Sequence, residues 1–292
     1  MYSIAIISDL HDWHSKEIEY HLKKKDCEVI KLSFNEIELN FNENKKSFFN
    51  NNLHNVDGAW VRFINSGSLE EITTKLTFIH LLKDSKVYTH NSAETIEKTV
   101  DKVRTTGILK INNIDSPDTI VWVNKKNKKI KFNSLLKPIF GSQGKGIQLL
   151  KKGELLSKIN SVGGVYYLQS FLGNINDNKF CDLRVLVSNH KVIACMKRTS
   201  GHYLTNIYQG AEFQKGKLSK NLTKLSEKIS RCLGLGYGGI DFKSLNKKIY
   251  ILEVNGVPSW KTINKLYKKD LTKTLVDDFI VKVKKFKQCH HS

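Results

Sequence analysis

The sequence predicts an α/β chain: a parallel, helix-covered sheet at the N-terminus, then lobes built mainly from antiparallel strands. Three observations predict it. Short apolar blocks alternate with amphipathic helical stretches over the first third of the chain, the rhythm of a parallel sheet. After about Asp115 strand-like runs dominate, with few helices between them. The 292 residues are enough for two or three packed lobes.

Taken in order, Ile4 to Ser8 reads as a strand, Ser15 to Lys25 as a short helix and Glu28 to Leu32 as the next strand. Asn40 to Asn52 is Asn-rich and reads as a surface loop, and Ala59 to Ile64 as a strand. Leu69, Ile72, Leu76 and Ile79 mark an amphipathic helix over residues 69–83, followed by a short strand at Val87 to His90. One further helix is expected to open at Asn91, with Glu94 as its capping partner and Ile96, Val100 and Val103 as its apolar stripe. Strand-like runs follow at Thr119 to Val123, Leu135 to Phe140, Ile147 to Leu150, Val165 to Ser170, Leu183 to Ser188 and Val192 to Lys197. A helix carrying Leu218, Leu222, Leu225 and Ile229, with Gly234 as its C-cap, separates them from strands at Gly239 to Phe242 and Ile249 to Val254. A Lys-rich helix closes the chain.

No apolar run approaches the roughly 18 residues that span a bilayer. The N-terminal apolar block is too short for a signal-peptide core, so a cytoplasmic protein is expected. Five scattered cysteines without a Cys-x-x-Cys pair give neither a zinc site nor a disulfide framework. The net charge of +20 raises nucleic-acid binding, but only five of the 48 basic residues are arginines. The rest are lysines in a chain also rich in Asn and Ile, the bias of AT-rich coding, and the basic-plus-aromatic clustering of a single-strand groove is lacking. The charge favours anionic small ligands by long-range attraction.

Three residue sets can carry chemistry. Gly141-Ser142-Gln143-Gly144-Lys145-Gly146 lies between strands, with Lys137-Pro138 just upstream. Its glycines let backbone N–H groups approach an anion, although it leads to a strand and is neither a Walker A loop nor a dinucleotide fingerprint. An ordinary flexible hairpin is its plain alternative. Glu253 and Asn255 sit two apart in an extended run and share a face, which Asp241 on the preceding strand can reach. Two carboxylates and an amide make an oxygen-only set that suits Mg²⁺, against the alternative of strand-end polar residues meeting solvent. Arg198, Asn206 and Gly210 form a polar stretch, in which Arg198 can neutralise a phosphate or an oxyanion.

In this order the pieces resemble the RimK-like branch of the ATP-grasp superfamily. The matching segments are Asn91 to Lys102, Leu136 to Ile147, Tyr167 to Gln169, Asp182 to Val187, Thr205 to Gly210, Gly239 to Asp241 and Glu253 to Pro258. The resemblance implies an ATP-grasp fold: an N-terminal domain over residues 1–92, a central lid over 93–168, a C-terminal lobe over 169–286 and a tail over 287–292. By position, it implies that Lys102 and Lys137 contact phosphate and that the loop from Gly141 through Ser142, Gln143 and Gly144 to Gly146 covers the triphosphate. Gln169, Ser170, Phe171 and Leu172 would form the adenine hinge, with Ser170 where the family often has an acidic residue. Asp241, Glu253 and Asn255 would hold Mg²⁺ (two ions, with Mn²⁺ able to substitute). Arg198 and Asn206 would stand at the reaction centre, and Arg198 and Gly210 would meet substrate.

Trp60 to Glu70 and Val257 to Lys261 are further similar to ligases that add L-glutamate to a tetrahydromethanopterin-type cofactor. That likeness implies amide formation between a small-molecule carboxylate acceptor and L-glutamate, with Arg62 contacting a substrate carboxylate; a strand-end ion pair is the alternative for Arg62. It also admits a homo-oligomer. A ligase acting on a protein or peptide C-terminus, an ATP-binding protein without catalysis and a basic nucleic-acid-binding protein are the other readings.

Overall fold

The computed structural model describes residues 1–42, 48–50, 53–125, 127–141, 144–205 and 210–290. Three sheets organise the chain. In the first, β1 (Ser3–Ser8), β2 (Glu28–Leu32), β3 (Gly58–Phe63) and β4 (Tyr88–His90) lie parallel in the order β2-β1-β3-β4. Strand β1 is apolar from Ile4 to Ile7 because both faces are covered. Ile4 and Ile6 pack with Trp60, Tyr237, Trp260 and Phe279, while Ala5 and Ile7 pack with Phe34, Val61, Ile79 and Leu82. The connecting helices are α1 (Trp13–Lys23), N-capped by Asp12, and α2 (Leu69–Asp84), which opens with a capping box between Ser68 and Glu71.

The expected helix from Asn91 is two helices. Ser92, not Asn91, caps α3 (Ala93–Val100), accepting from the Thr95 N–H. Asp101 then leaves helical geometry, and its carboxylate accepts from Val103 and Arg104 N–H to cap α4 (Lys102–Ile111). The break places Lys102 at the first position of α4 and leaves Val100 41% exposed, off the stripe the periodicity assigns to it. Asn91 is buried and works as a tie. Its amide donates to the carbonyls of Tyr237 (2.8 Å) and Gly256 (2.6 Å), and its oxygen accepts from Gly236 (2.7 Å) and Tyr237 (3.2 Å).

The second sheet is antiparallel, in the order β5-β8-β6-β7. Its strands are β5 (Thr119–Val123), β6 (Ser134–Lys137), β7 (Gln148–Leu150) and β8 (Val165–Ser170). A small core of Ile130, Leu136, Leu150, Leu156, Tyr166 and Leu168 supports it, with Trp122 stacked on Tyr166. The third sheet, also antiparallel, has the order β11-β10-β9-β12-β13. It comprises β9 (Phe180–Ser188), β10 (Lys191–Ser200), β11 (Glu212–Lys215), β12 (Tyr237–Leu245) and β13 (Lys248–Asn255). The edge strand β11 is not evident from the sequence, and all four of its residues are exposed. Helix α5 (Lys220–Leu233) packs on this sheet and ends at Gly234, whose φ of 75° is the left-handed cap only glycine adopts freely. A short helix, α6 (Lys261–Asn264), leads to α7 (Leu271–His290), which packs back on the parallel sheet. Residues 287–290, expected as tail, continue α7, and the Lys287 ammonium pairs with Asp57. Among the described residues no helix is long and apolar enough to cross a membrane.

Candidate functional site

A pocket opens where α3 and α4 face β8 and β13. Thr99, Lys102, Thr106, Tyr167, Gln169 and Glu253 are among its lining residues. The second sheet thus forms one wall and the third the other.

Lys137 ends β6 and is 8% exposed. Its Nζ donates to Gln169 Oε1 at 2.6 Å, and Gln169 in turn donates to Thr119 Oγ1 (3.2 Å) and Tyr167 OH (3.3 Å). Tyr167 OH lies 2.7 Å from Thr106 Oγ1 on α4. Burial pushes the Lys137 ammonium down to about 8, with Lys102 adding to the shift and Glu253 and Asp241 opposing it. The same burial raises the Tyr167 phenol, which therefore stays protonated. Lys102 donates to the carbonyls of Ile139 (3.3 Å) and Gly141 (3.0 Å) and stands 3.4 Å from Glu253 Oε1. It joins the entrance of the Gly-rich loop to β13. Gly144 and Gly146 take φ of 71° and 74°, the left-handed region that favours glycine. Ser142 and Gln143 lie outside the described residues.

Of the expected hinge residues Gln169 to Leu172, Gln169 lines the pocket, and most of their polar groups are already engaged. Gln169 spends its side chain on Lys137. Ser170 N–H and Phe171 N–H donate to the carbonyls of Asp118 (2.8 Å) and Asn133 (2.9 Å), and the Ser170 hydroxyl also turns to Asp118 (3.1 Å). Leu172 follows them, and its N–H enters no hydrogen bond among the described residues.

The oxygen set is brought together by register. In the β12–β13 pair Asp241 faces Glu253 and Gly239 faces Asn255, so the three side chains share one face. Asn255 Oδ1 accepts from Val257 N–H at 2.8 Å, which fixes its orientation. Asp241 is 5% exposed and lies opposite Arg184 on β9, whose Nε and Nη2 each donate to it at 2.7 Å. Arg198 on β10 faces Asp182 on β9 and grips it at 2.7 and 2.5 Å, while its Nη2 reaches Asp241 at 2.9 Å. Thr205 completes the set by donating to Asp182 at 2.5 Å. Burial alone would raise the Asp241 carboxyl, but Arg184 and Arg198 outweigh it and hold it well below the ordinary range. Burial wins at Asp182, whose carboxyl is raised despite Arg198. Burial would also lower Arg198, but Asp241 and Asp182 outweigh that and keep it charged. Two carboxylates and an amide oxygen on one face fit a hard divalent cation such as Mg²⁺.

The remaining expected residues are placed differently. Gly210 is exposed, with φ of 85° and open space about it, and it touches none of this network; Asn206 lies outside the described residues. Arg62 is 3% exposed at the end of β3, paired with Asp12 at 3.1 Å and set over the Trp260 ring at 5.3 Å. This is the ion pair that its strand-end position allowed for. Sequence reasoning passed over Thr106 and gave no role to Tyr167, Asp182 and Arg184, which it placed only within matching segments. The signal for the last two was available: Asp182 and Arg184 alternate with Leu183 and Val185 in β9, which puts two charges on one face of a central strand.

A family model for the RimK-like ATP-grasp domain matches residues 99–279, which hold every one of these groups except Asp12 and Arg62. The chain belongs to the RimK-like ATP-grasp family. Among its relatives, the tetrahydromethanopterin:alpha-L-glutamate ligase of Methanococcus maripaludis is 30% identical over 294 residues, covering 97% of this chain and 99% of that protein. The coenzyme gamma-F420-2:alpha-L-glutamate ligase of the same organism is 28% identical over 188 residues, covering 61% and 66%. The fold is equally that of solved ATP-grasp enzymes. The ligase PsnB, complexed with minimal precursor, Mg and ADP, superposes with a TM-score of 0.72 at 13% identity, covering 96% of this chain and 97% of that one. D-alanine–D-alanine ligase from Bacillus anthracis gives 0.69 at 13% identity, covering 99% of each. The ATP-grasp architecture expected from the sequence is therefore the one observed.

Proposed function

We propose that this RimK-like ATP-grasp ligase joins the amine of L-glutamate to the carboxylate of a pterin-type cofactor through an acyl phosphate. The observation that carries the reading is the convergence of two lysines, Lys102 and Lys137, with Asp241, Glu253 and Asn255 at one cleft between two sheets. The near-full-length likeness to a tetrahydromethanopterin:alpha-L-glutamate ligase supports the choice of acceptor and amine.

Lys137, oriented by Gln169, and Lys102, at the start of α4, hold the phosphates of ATP. Gln169, Ser170, Phe171 and Leu172 would form the adenine hinge, with the Leu172 N–H as the donor left open among the described residues. Asp241, Glu253 and Asn255 would hold Mg²⁺, as two ions that Mn²⁺ could replace, and the bound cation would supply neutralisation of phosphate charge. An acceptor carboxylate oxygen attacks the γ-phosphorus, the bond to ADP breaks, and an acyl phosphate forms. The glutamate amine then attacks the acyl carbon, the C–O bond to phosphate breaks, and phosphate leaves as the nitrogen sheds a proton. Arg198 is assigned to this centre, where its charge offsets the oxyanion of the tetrahedral stage, and Asn206 and Gly210 are assigned to the same reaction. The loop 141–146 closes over the triphosphate and keeps water from the acyl phosphate. Arg62, held by Asp12, is assigned to a substrate carboxylate. The lobes divide near residues 92 and 168, the protein works in the cytoplasm, and the family likeness admits a homo-oligomer.

The test is Mg-ATP turnover with and without L-glutamate across a panel of carboxylate acceptors that includes a reduced pterin cofactor, with mass detection of products. A glutamyl increment on one acceptor, dependent on both ATP and glutamate, is the expected result. ADP formation that ignores glutamate with every acceptor would remove the reading.

A further inference from the structure

Asp12, His14 and Arg62 form a cluster in which the scheme above uses Arg62 and its partner Asp12 and gives His14 no role. Asp12 and His14 follow β1 at the carboxyl end of the parallel sheet, where open α/β sheets present their functional groups. His14 is 5% exposed. Its Nε2 lies 3.1 Å from the Trp260 backbone nitrogen, 3.2 Å from that of Lys261 and 3.0 Å from the Ser259 hydroxyl. Backbone N–H groups only donate, so Nε2 is the acceptor and the ring proton sits on Nδ1. Nδ1 donates to Asp12 Oδ2 at 2.5 Å, and Arg62 Nη2 shares that oxygen at 3.1 Å. The 3.0 Å approach of Arg62 Nη2 to Nδ1 follows from the shared partner. Arg62 Nε is buried without a hydrogen-bond partner among the described residues.

The segment so held leads directly from the candidate metal strand. Asn255 Oδ1 takes the Val257 N–H at its start, and Pro258 packs against Gly239 beside Arg184. Asn255 thus fixes one end of the turn and His14 the other. The groups facing the imidazole are Asp12 before α1, Arg62 on β3 and Lys261 on α6, with the rings of Trp13 and Trp260 against it.

We infer that His14 is a positioning residue for the proposed ligation: as a neutral acceptor it pins residues 259–261 to the N-terminal lobe and so sets Asn255 and Arg62 in place. The inference rests on the ligase reading for its effect on turnover, while the pinning itself does not. Burial lowers the His14 pKa, Arg62 and Lys261 add to this, and Asp12 opposes them, which keeps the ring neutral at pH 7. Protonation would turn an N–H toward two N–H donors and release the turn.

The test compares the wild-type protein with His14→Ala and His14→Gln, since a Gln oxygen can stand in for Nε2. His14→Ala is expected to bind Mg-ADP several-fold more weakly than the wild type, because the turn after Asn255 is no longer held. It should also lose about ten- to a hundredfold in kcat/KM for the acceptor, and its Trp260 and Lys261 amides should exchange hydrogen at least about tenfold faster. His14→Gln should restore slow exchange and most of the turnover, and should lack the part of the acid limb of the pH–rate profile that the wild type owes to His14. Unchanged exchange in His14→Ala, unchanged kcat/KM despite faster exchange, or a His14→Gln variant as impaired as His14→Ala would each overturn the assignment. A wild-type protein without glutamate-dependent turnover would retire the ligase reading, and with it the positioning role, while the exchange rates would still decide the pinning.

Discussion

Lys137 offers a quantitative prediction. Its ammonium is buried beside Gln169 and pushed down to about 8 from an ordinary 10.5. A triphosphate placed against it favours the charged form and restores the pKa, so nucleotide binding draws in a proton. Uptake through this group is about half a proton at pH 8 and approaches one by about pH 9. ATP affinity therefore falls by up to about tenfold per pH unit as pH rises from about 8 toward 10.5, and is insensitive to this group below about 7. The sign for folding is opposite. A lysine with a depressed folded-state pKa binds fewer protons than it does unfolded, so the ligand-free fold gains stability over the same window. Calorimetric titration of Mg-ATP in buffers of different ionisation enthalpy reads the uptake directly. Lys137→Arg keeps its charge and should bind with a flat pH profile, whereas Lys137→Ala should lose about ten- to a hundredfold at pH 7.5, the value of one charge-assisted contact. Equal affinity and no proton uptake across pH 7 to 9 in the wild type would refute the reasoning.

Other expectations follow from the same geometry. Glu253→Gln and Asn255→Ala should abolish Mg-dependent turnover with thermal melting close to wild type, since both residues are only partly buried; full activity in either would remove it from the metal set. Asn91→Ala leaves the backbone groups of Gly236, Tyr237 and Gly256 without their buried partner and should cost about 3–5 kcal/mol in urea denaturation. His90, fully buried among Trp60, Tyr88, Tyr237 and Phe279, is pushed down to about 3 by burial and, less, by Lys282. Its neutral form is folded in, so stability through this group is complete above about pH 6.5 and declines by about 1.4 kcal/mol per unit below it. His90→Phe should show a shallower loss between pH 7 and 5, and an identical slope would contradict the assignment.

The parts of the fold and site that the sequence displays are those governed by local periodicity. The alternating strands, the Gly234 cap and the shared face of Glu253 and Asn255 follow from residue spacing alone. What it concealed needs a tertiary partner. The stripe Ile96, Val100, Val103 reads as one helix, because the carboxylate of Asp101 caps α4 only once the chain has bent there. Arg184 and Asp182 become a network only when register sets them opposite Asp241 and Arg198. Asn91 has the composition of a helix cap, but the approach of Gly236, Tyr237 and Gly256 offers its amide four partners instead of one.

The central claim is that the acceptor carboxylate becomes an acyl phosphate before glutamate attacks. The most direct measurement uses an acceptor whose carboxylate carries ¹⁸O, with ATP, Mg²⁺ and L-glutamate, followed by mass analysis of the released phosphate. One ¹⁸O atom in each inorganic phosphate, with ADP as the nucleotide product, is the predicted result. Label found in AMP, or phosphate free of label while amide forms, would contradict it.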